Sequence, residues 1–401
     1  MKSEKHVVIA YHFFAHYRSP VLNEIANSEQ FNYIFVGGKA DPYAQNKAVI
    51  KSSTIADSDK FFEAKCYTFL KKRLLLQPKL LLLPFKKSVS QIIYLGNPRW
   101  PMTWISSIIA RLMGKKVFFW THGLYGKETP IKQKVYQLFY KIPHGLMLYG
   151  HMSKCLGIQA KLPADRLYVI YNSLDYDKHT HIRKTILQDE IDKTKKELFP
   201  DNKDPIVIAS ARLTKKKNFK LLLEAVICLK NKGHHVNVLL IGDGPEKSSL
   251  QKMAEEGGIN INLYGSCYDE ETLARLLMAS TVTVMPGEVG LTAMQSLVYG
   301  IPVITHDDYA MQMPEWEAVI PGKNGDLFTR NDLGSLTHAI EKWTQKDCDY
   351  NRIREDCYRI IDRFYNPQMQ LKCIEYALEG QPANDLYASA LPIGLQYSPK
   401  R

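Results

Sequence analysis

The chain has 401 residues, of which 45% are hydrophobic and 23% are charged, and its formal net charge is +12. This length suffices for two domains with full cores, the composition is that of a globular protein, and no apolar run approaches the ~20 residues of a membrane-spanning helix. The basic charge favours an anionic partner, which could be nucleic acid, an anionic membrane or a phosphorylated substrate. The alternative is a basic surface that is only solvated. Because the chain has no nucleic-acid-binding signature, we expect no nucleic-acid partner.

The first apolar run, from Val7, follows two lysines, and His12 and His16 interrupt it before any signal-peptidase site. We therefore expect a first strand rather than a secretion signal. No two of the cysteines have Cys-x-x-Cys spacing, which predicts free thiols in a reducing, cytoplasmic compartment and no structural zinc. The seven cysteines are Cys66, Cys155, Cys228, Cys267, Cys348, Cys357 and Cys373.

In the first half, short apolar runs alternate with helical patterns. Strands are predicted at 7–11, 33–36, 91–95, 116–120, 145–149 and 167–170, and helices from 21 and at 104–112. This alternation predicts a parallel α/β sheet. The loop after the first strand has no glycine and so lacks the Gly-x-Gly-x-x-Gly fingerprint, which argues against a nicotinamide or flavin enzyme.

Polar side chains follow three of these strands. Tyr17 and Arg18 come after the first strand, Asn97 after the third, and His122 after the fourth. A doubly wound sheet faces its ligand at the carboxyl ends of its strands. His122 lies directly after a strand and before a glycine, so we expect it to contact a ligand. For Tyr17 and Arg18, a structural role and a ligand-binding role are equally favoured.

The segment Tyr67–Lys87 has two leucine clusters flanked by basic residues, and Pro78 and Pro84 prevent one continuous helix. This composition favours an interfacial segment that binds an anionic membrane surface. The alternative is a core segment whose lysines reach the solvent.

A charged, lysine-rich linker with a polar helix is predicted from Ile182 to Asn202, and a second α/β series follows. Its strands are predicted at 206–210, 236–241, 261–264, 281–285, 303–305 and 324–328. Its helices are predicted at 219–230, from 246, at 270–279, 291–298 and 333–346, and from 350.

The loops of this second series carry an anion-binding pattern. Arg212 and Lys217 follow its first strand, and the turn around Gly287 and Gly290 opens a helix, so both should face one crevice. Two fixed cations and a helix N-terminus suit a diphosphate. Glu288 inside the turn opposes an anion unless it binds something else, such as sugar hydroxyls, and the turn could also be an ordinary β-α-β crossover.

Two neighbouring features are interpreted as weaker signals. Lys215 and Lys216 are expected to be solvated surface residues. Gly242-Asp243-Gly244-Pro245 has only a superficial likeness to a dinucleotide-binding turn, because it lacks the third glycine.

The chain resembles the GT-B glycosyltransferases, specifically the retaining family 4 group with its Glu-x7-Glu motif. The likeness is strongest from Ile206 to Phe328, and Trp120-Thr-His122-Gly123 adds to it in the first half. The other segments that carry it are Ala211-Arg212-Leu213 with Lys217, Ile241-Gly-Asp-Gly-Pro245, Pro286 to Pro302, Pro314-Glu315 with Asn324-Gly325, and Tyr171-Asn-Ser-Leu-Asp175.

This resemblance implies two Rossmann-like, doubly wound parallel-sheet domains that face each other across a cleft. We expect an acceptor-binding domain at 1–180, a linker at 181–204 and a nucleotide-sugar-binding domain at 205–346. Helices at 347–380 should pack back toward the first domain, and 381–401 should form a loosely ordered tail.

The resemblance also implies site residues. Arg212 and Lys217 would hold the donor diphosphate, the backbone from Val289 to Thr292 the distal phosphate and sugar, and His122 would lie near the transferred sugar. Together with Glu288 these cations and His122 form the expected catalytic group. Further expected donor contacts are Gly242, Asp243, Tyr264, Gly287, Gly290, Leu291 and Gln295, and expected acceptor-side residues are Tyr17, Arg18 and Asn97.

The chain departs from the family pattern at both motif glutamates. The first falls on Gly287, with Glu288 displaced by one position, and the second, which usually holds the ribose hydroxyls, is Gln295. An amide can still donate and accept hydrogen bonds to a ribose. The Pro-Gly-x-Val-Gly-Leu variant resembles a branch of bacterial surface-polysaccharide transferases, so we do not interpret the change as loss of activity.

The predicted function is metal-independent, cofactor-free retaining transfer of a sugar from a nucleotide diphosphate donor, with UDP or GDP as the nucleotide. The acceptor is expected to be a lipid-linked or lipopolysaccharide glycan at the inner face of the cytoplasmic membrane. The alternatives are a nucleotide-sugar epimerase on the same fold and a non-catalytic donor-binding partner subunit.

Overall fold

The computed structural model describes residues 6–43, 51–69, 74–200, 203–345 and 349–384. The chain divides into two compact units, which we call the first unit (Met1–Asp175 with Phe364–Arg401) and the second unit (Tyr176–Arg363). The segment predicted as a linker, 181–204, lies in the second unit and is largely helical.

The first unit contains a seven-stranded parallel sheet with the order β3-β2-β1-β6-β7-β8-β9, and an antiparallel hairpin of β4 and β5. Its strands are β1 (His6–Phe13), β2 (Asn32–Gly38), β3 (Phe61–Glu63), β4 (Tyr67–Phe69), β5 (Leu74–Leu76), β6 (Val89–Leu95), β7 (Lys116–Thr121), β8 (Gly145–Leu148) and β9 (Leu167–Val169). Its first helices are α1 (Ser19–Asn27), α2 (Pro101–Leu112), α3 (Pro130–Tyr140) and α4 (His151–Gln159). The central strands are mostly apolar, because helices cover both faces of such a sheet.

The second unit contains a six-stranded parallel sheet with the order β12-β11-β10-β13-β14-β15. Its strands are β10 (Ile206–Ser210), β11 (Asn237–Ile241), β12 (Ile261–Gly265), β13 (Val282–Met285), β14 (Val303–His306) and β15 (Gly325–Phe328). Its helices are α5 (Tyr176–Thr185), α6 (Gln188–Leu198), α7 (Phe219–Asn231), α8 (Lys247–Gly257), α9 (Glu270–Met278), α10 (Leu291–Val298), α11 (Leu333–Trp343) and α12 (Tyr350–Phe364).

The last helix, α13 (Pro367–Glu379), packs on α1 in the first unit. Asn366 caps it by accepting a hydrogen bond from the Met369 N–H at 2.8 Å. Ser28 Oγ donates to Glu375 Oε1 at 2.5 Å and links the end of α1 to α13. Residues near the two ends of the chain therefore complete one unit.

The parallel α/β class predicted from the alternating pattern is confirmed. The pattern did not predict β3, the hairpin, α3 or α4. In the hairpin strand β4, the side chains of Tyr67 and Phe69 are both about half exposed. The strand therefore has no buried apolar face, and its sequence lacks the alternating pattern that predicts a strand. In α4, Gly157 weakens the helical signal, and tertiary packing against β8 and β9 holds the helix instead.

The basic leucine-rich segment Tyr67–Lys87 contributes to the core of the first unit. Leu75, Leu80 and Leu83 are at most 4% exposed, and the 3-10 helix Pro78–Phe85 packs on α2. The basic cluster at 70–73, which the membrane hypothesis also used, lies outside the described residues. Leu82 and Phe85 remain exposed, so only part of the segment can meet a membrane.

Candidate functional site

In the second unit, backbone hydrogen bonds join the loops after β10 and β11 to each other and to the end of β12. The Leu213 N–H donates to Asp243 O at 2.9 Å, and the Gly242 N–H donates to Gly265 O at 2.7 Å. Gly242 has φ of +137°, and a Cβ there would lie 2.1 Å from Ala211 O. A glycine is therefore required, and these bonds place the backbone of Arg212 next to Gly242 and Asp243.

Arg212 is exposed at this edge, and no carboxylate lies within salt-bridge distance of it among the described residues. Tyr264, on β12 of the same sheet, is 42% exposed. Arg212 and Asp243 thus lie at one end of the sheet, as the sequence predicted, with a cation ready to meet an anionic ligand.

Lys217 is linked to the turn after β13. Its Nζ donates to Glu288 O at 2.9 Å and lies 3.6 Å from Glu288 Oε1, while Lys216 Nζ lies 2.6 Å from Glu288 Oε2. Burial lowers the pKa of Lys217, although the Glu288 carboxylate acts in the opposite direction. Lys216 is exposed to solvent, as expected, and its ammonium group also pairs with Glu288.

Gly287 explains why the carboxylate of this turn sits at position 288. A Cβ on Gly287 would lie 2.3 Å from Lys216 O and 2.8 Å from Lys217 Cα, and the Gly287 N–H donates to Lys217 O at 3.0 Å. Because the cationic loop packs directly on its backbone, no side chain fits at 287. Position 287 therefore cannot carry the motif glutamate, and the carboxylate of this turn is that of Glu288.

Helix α10 begins at this turn, with Gly290 as its N-cap residue. The N–H groups of Leu291 and Thr292 have no acceptor within the helix and point out of its N-terminus. Thr292 Oγ1 donates to Ser210 O at 3.2 Å, which ties the helix start to the end of β10. The predicted helix N-terminus therefore lies beside the strand that precedes Arg212.

The predicted role of the Val289 backbone needs correction, because its N–H already donates to Gln312 Oε1 at 2.7 Å. Gln312 Nε2 in turn donates to Thr305 Oγ1 and to His306 O, each at 2.8 Å. Gln312 is 4% exposed and anchors the turn to β14. It lies outside every motif, and nothing in the sequence distinguishes it.

The Gln295 side chain takes part in a polar cluster centred on Glu270. Gln295 Nε2 and Tyr299 OH donate to Glu270 Oε1 at 3.3 and 3.0 Å, and His179 Nε2 lies 3.1 Å from the same oxygen. Burial acts to raise the pKa of Glu270, but these hydrogen bonds prevail and lower it. A carboxylate that the sequence argument did not identify thus lies beside the position where the family motif has one.

The first unit has its own pocket of about 370 Å³ at the carboxyl ends of β1, β6 and β7. Tyr17, Arg18, Asn97 and His122 all line it, so the structure brings together the four residues predicted for this unit. The remaining lining is rich in aromatic side chains and includes Tyr43, Trp100 and Tyr149, which no motif indicated.

His122 follows β7 and is mostly enclosed. Ser153 Oγ donates to His122 O at 2.7 Å, and the His122 ring lies 4.7 Å from that of Tyr149. Burial, with a contribution from Arg18, lowers the pKa of His122 to about 4, so the ring is neutral near pH 7. Its buried Nδ1 has no hydrogen-bond partner among the described residues. It can therefore serve as a hydrogen-bonding group for a ligand but not as a charged acid.

Within the described ranges, no cluster of three or more His, Cys, Asp or Glu side chains is arranged to hold a metal ion. In the same part of the chain, every helix is too short or too polar to cross a bilayer.

The fold has counterparts among solved structures. It superposes on Anabaena HepE in complex with UDP (TM-score 0.68, 15% identity, 94% of this chain and 100% of HepE). It also superposes on the lipopolysaccharide outer core galactosyltransferase WaaB (TM-score 0.66, 15% identity, 94% of this chain and 99% of WaaB). The two parallel-sheet units therefore define a protein with the GT-B fold.

Sequence comparison finds glycosyltransferases similar to part of this chain. Residues 190–359 match the model "Glycosyl transferases group 1". The putative glycosyltransferase EpsD of Bacillus subtilis is 25% identical over 59% of this chain and 62% of EpsD. The lipopolysaccharide core biosynthesis glycosyltransferase LpsE of Rhizobium meliloti is 28% identical over 34% of this chain and 39% of LpsE. These matches span less than two thirds of either relative. Residues 190–359 therefore resemble the group 1 glycosyltransferases, and the resemblance seen in the motifs of this part of the chain is confirmed.

Proposed function

We propose that the protein is a retaining glycosyltransferase of polysaccharide or lipopolysaccharide synthesis, with a nucleotide diphosphate sugar as donor. The observation that carries the proposal is the joined edge of the second unit, where Arg212, Lys217 and the start of α10 surround the ends of β10 and β13. The relatives EpsD and LpsE, and the UDP complex of HepE, support it by analogy.

The donor diphosphate would interact with three positive groups of this edge. The exposed Arg212 guanidinium suits two phosphate oxygens at once, and Lys217 supplies a point charge. The Leu291 and Thr292 N–H groups add the positive end of the α10 dipole. These groups are preorganised where negative charge develops as the sugar–phosphate bond breaks, and such stabilisation is a large part of catalysis in many enzymes.

In a retaining mechanism of this type, the acceptor hydroxyl attacks on the face that the diphosphate leaves, and a departing phosphate oxygen accepts its proton. No strong protein base is then needed, which agrees with the neutral, enclosed His122. His122 would instead hydrogen-bond the transferred sugar. Glu288, 19% exposed and paired with two lysines, would contact sugar hydroxyls once the diphosphate takes its place at the lysines.

The ribose of the donor would be held at the Gln295–Glu270 pair. Gln295 shares the Glu270 carboxylate with Tyr299, and Glu270 Oε1 receives these hydrogen bonds. A second carboxylate oxygen is therefore present close to the amide, and it is the kind of acceptor that a ribose diol requires.

The donor site is tested by thermal shift and turnover with UDP-, GDP-, ADP- and CMP-sugars, comparing the wild type with Arg212→Ala. Arg359→Ala is the matched control, since Arg359 is an exposed arginine on α12 that pairs with Asp356. We expect one nucleotide diphosphate to stabilise the wild type and the control but not Arg212→Ala. If no nucleotide binds the wild type, the donor-site proposal is wrong.

Turnover separates this activity from its alternatives. A transferase releases free nucleotide diphosphate in step with glycan formation, whereas an epimerase converts the donor with no acceptor present. A binding subunit shows neither. Product analysis with and without an acceptor glycan therefore distinguishes the three.

We also propose that the protein works at the inner face of the cytoplasmic membrane on a lipid-linked acceptor. Support comes from the exposed side chains of Leu82 and Phe85, which accompany Lys79 and Lys86 in the first unit. We expect Leu82→Ser/Phe85→Ser to reduce sedimentation with phosphatidylglycerol vesicles. Leu187→Ser, at an exposed leucine of the second unit, should leave sedimentation unchanged.

A further inference from the structure

The pocket of the first unit contains an arginine with aromatic neighbours in place of an acidic partner. The Arg18 guanidinium lies 5.5 Å from the ring centres of Tyr11 and Trp120 and 5.6 Å from that of Tyr149. Its recorded hydrogen bond is donated from Nη2 to Tyr149 OH at 2.6 Å. Within the described ranges, no carboxylate lies within 4 Å of it.

Aromatic faces compensate a partly buried guanidinium only in part. Cation–π contacts are weaker than an ion pair with a buried carboxylate, and a guanidinium has five N–H donors in a planar fork. The bond to Tyr149 uses one of these donors. The remaining donors have the geometry for a bidentate contact with a carboxylate or a phosphate.

The other groups of the pocket leave this charge largely uncompensated. His12 and His122 are neutral near pH 7, because burial lowers the pKa of each to about 4. Asp41 also lines the pocket, but it accepts the Tyr43 N–H at 2.8 Å, and Arg99 at the rim restores a net positive charge. The pocket therefore combines aromatic faces that suit a sugar ring with a cation that suits an anion.

We propose that this pocket binds an acceptor whose sugar carries an anionic group, a phosphate or a carboxylate, and that Arg18 holds that group. The inference rests on the proposed function, in which the first unit binds the acceptor. It names the class of acceptor: an anionic glycan rather than a neutral one. A lipid-linked sugar phosphate and an acidic sugar such as a uronate are the two sources of this chemistry.

Direct binding to the full chain tests the proposal without requiring turnover. The probes are glucose 1-phosphate, glucuronate and the neutral methyl α-glucoside, and the readouts are calorimetry and the fluorescence of the pocket residue Trp100 together with the other tryptophans. All measurements use an Arg212→Ala background, so that binding of phosphate at the proposed donor site is weakened. We expect glucose 1-phosphate or glucuronate to bind and the neutral glucoside to bind at least about tenfold more weakly. Preference between the two anionic probes identifies the source.

Variants at position 18 test whether Arg18 is the residue that binds the anionic group. Arg18→Met should weaken binding of the anionic probe at least about tenfold, to the level of the neutral glucoside. Arg111→Met is the matched control, because Arg111 is an exposed arginine of α2 in the same unit, and it should bind like its parent. Arg18→Lys keeps the positive charge but loses the planar guanidinium, so it should bind the anionic probe with intermediate affinity. This variant also tests the proposal if Arg18→Met does not fold.

Two results would overturn the inference. One is that the parent protein binds the neutral and the anionic probes with equal affinity, or that the position-18 variants bind the anionic probe as tightly as the parent does. The other is loss of nucleotide binding, in a chain with Arg212 intact, when Arg18 is changed, which would assign the cation to the donor. Failure of the donor site itself is detected separately by the Arg212→Ala comparison of nucleotide binding, so the two failures are distinguishable.

Discussion

At the residue scale, Gly287 decides how the cationic loop and the glycine-rich turn fit together. The turn and the loop approach so closely that a Cβ at 287 would lie 2.3 Å from Lys216 O. An ordinary contact between a carbon and an oxygen is more than half an ångström longer, so either the turn or the loop must move when a side chain is added. This one contact fixes the positions of both Lys217 and Glu288.

We expect Gly287→Ala to lower both thermal stability and affinity for the donor nucleotide. Overpacking of this kind costs about 1–3 kcal/mol, and it would displace Lys217, which is one of the proposed phosphate ligands. Melting temperature and nucleotide affinity measure the two effects. Gly334→Ala is the matched control, because its Cβ would meet only Asp332 Oδ1 at 3.4 Å. Unchanged nucleotide affinity in Gly287→Ala would contradict the assigned position of the site.

Glu288 leads to a second prediction at this scale, because in the proposed donor site its carboxylate would compete with the diphosphate for Lys216 and Lys217. We expect Glu288→Gln to bind free nucleotide diphosphate more tightly, by a few-fold, and to transfer sugar at least about tenfold more slowly. The first effect follows from removing a negative charge beside the lysines. The second follows from losing the carboxylate that is proposed to contact the sugar.

Calorimetry with free nucleotide and steady-state kinetics separate these effects. Glu224→Gln, at an exposed glutamate of α7, is the control and should change neither quantity. Weaker nucleotide binding in Glu288→Gln would show instead that the carboxylate positions Lys217 for the phosphate.

At the scale of elements, helix α10 is held by neighbours on both sides of its N-terminus. Thr292 connects its first turn to β10, and Gln312 connects the preceding turn to β14 through Val289. The helix start can stabilise an anion because these contacts fix the direction of its N–H groups. The dipole falls off within the first turn, so a small displacement matters.

Removal of the Gln312 side chain tests this arrangement. In Gln312→Ala the buried Val289 N–H loses its acceptor, which costs about 1–3 kcal/mol. We expect a lower melting temperature and weaker nucleotide binding, with little change in the affinity for acceptor probes. Gln251→Ala is the control, because Gln251 of α8 donates its side-chain hydrogen bond to Glu255 on the same helix. If nucleotide affinity stays at the wild-type value, the turn keeps its shape without this anchor.

At the scale of the whole molecule, buried neutral histidines couple folding to pH. Burial lowers the pKa of His12, His122 and His151 from 6.5 to about 4, so the folded chain binds fewer protons than the unfolded chain between these values. This contribution to stability is complete above pH 6.5 and is lost as pH falls toward 4. Each histidine contributes a slope of at most about 1.4 kcal/mol per pH unit.

We expect the melting temperature to fall steadily from pH 6.5 to pH 5 in the wild type. His122→Asn removes one of these groups, so its melting temperature should depend less steeply on pH, whatever its value at pH 7. His181→Asn, at an exposed histidine of α5, is the control and should keep the wild-type slope. Equal slopes in all three proteins would mean that His122 is not neutralised by folding.

Much of the architecture was predictable because it depends on local patterns. Short β-branched runs and helical periodicity predicted most of the strands of both sheets, and parallel strands place their following loops at one edge. For that reason Arg18 and His122, far apart in sequence, were expected in one pocket, and Arg212 was expected near the start of α10. The interior leucines of the segment Tyr67–Lys87 show the limit, since composition alone does not tell a core leucine from one on a membrane surface.

The sequence by itself determined the class of fold, the two α/β series and the strand ends at which polar residues gather. Only the tertiary structure decided which partners the polar groups have. The Val289 N–H bonds to Gln312, the Gln295 amide bonds to Glu270, and the Glu288 carboxylate pairs with two lysines. The physical reason is the separation along the sequence of the residues that interact. Strand and helix patterns repeat over a few residues, whereas these contacts join loops that are distant in the chain and depend on strand register and on differences of an ångström in packing.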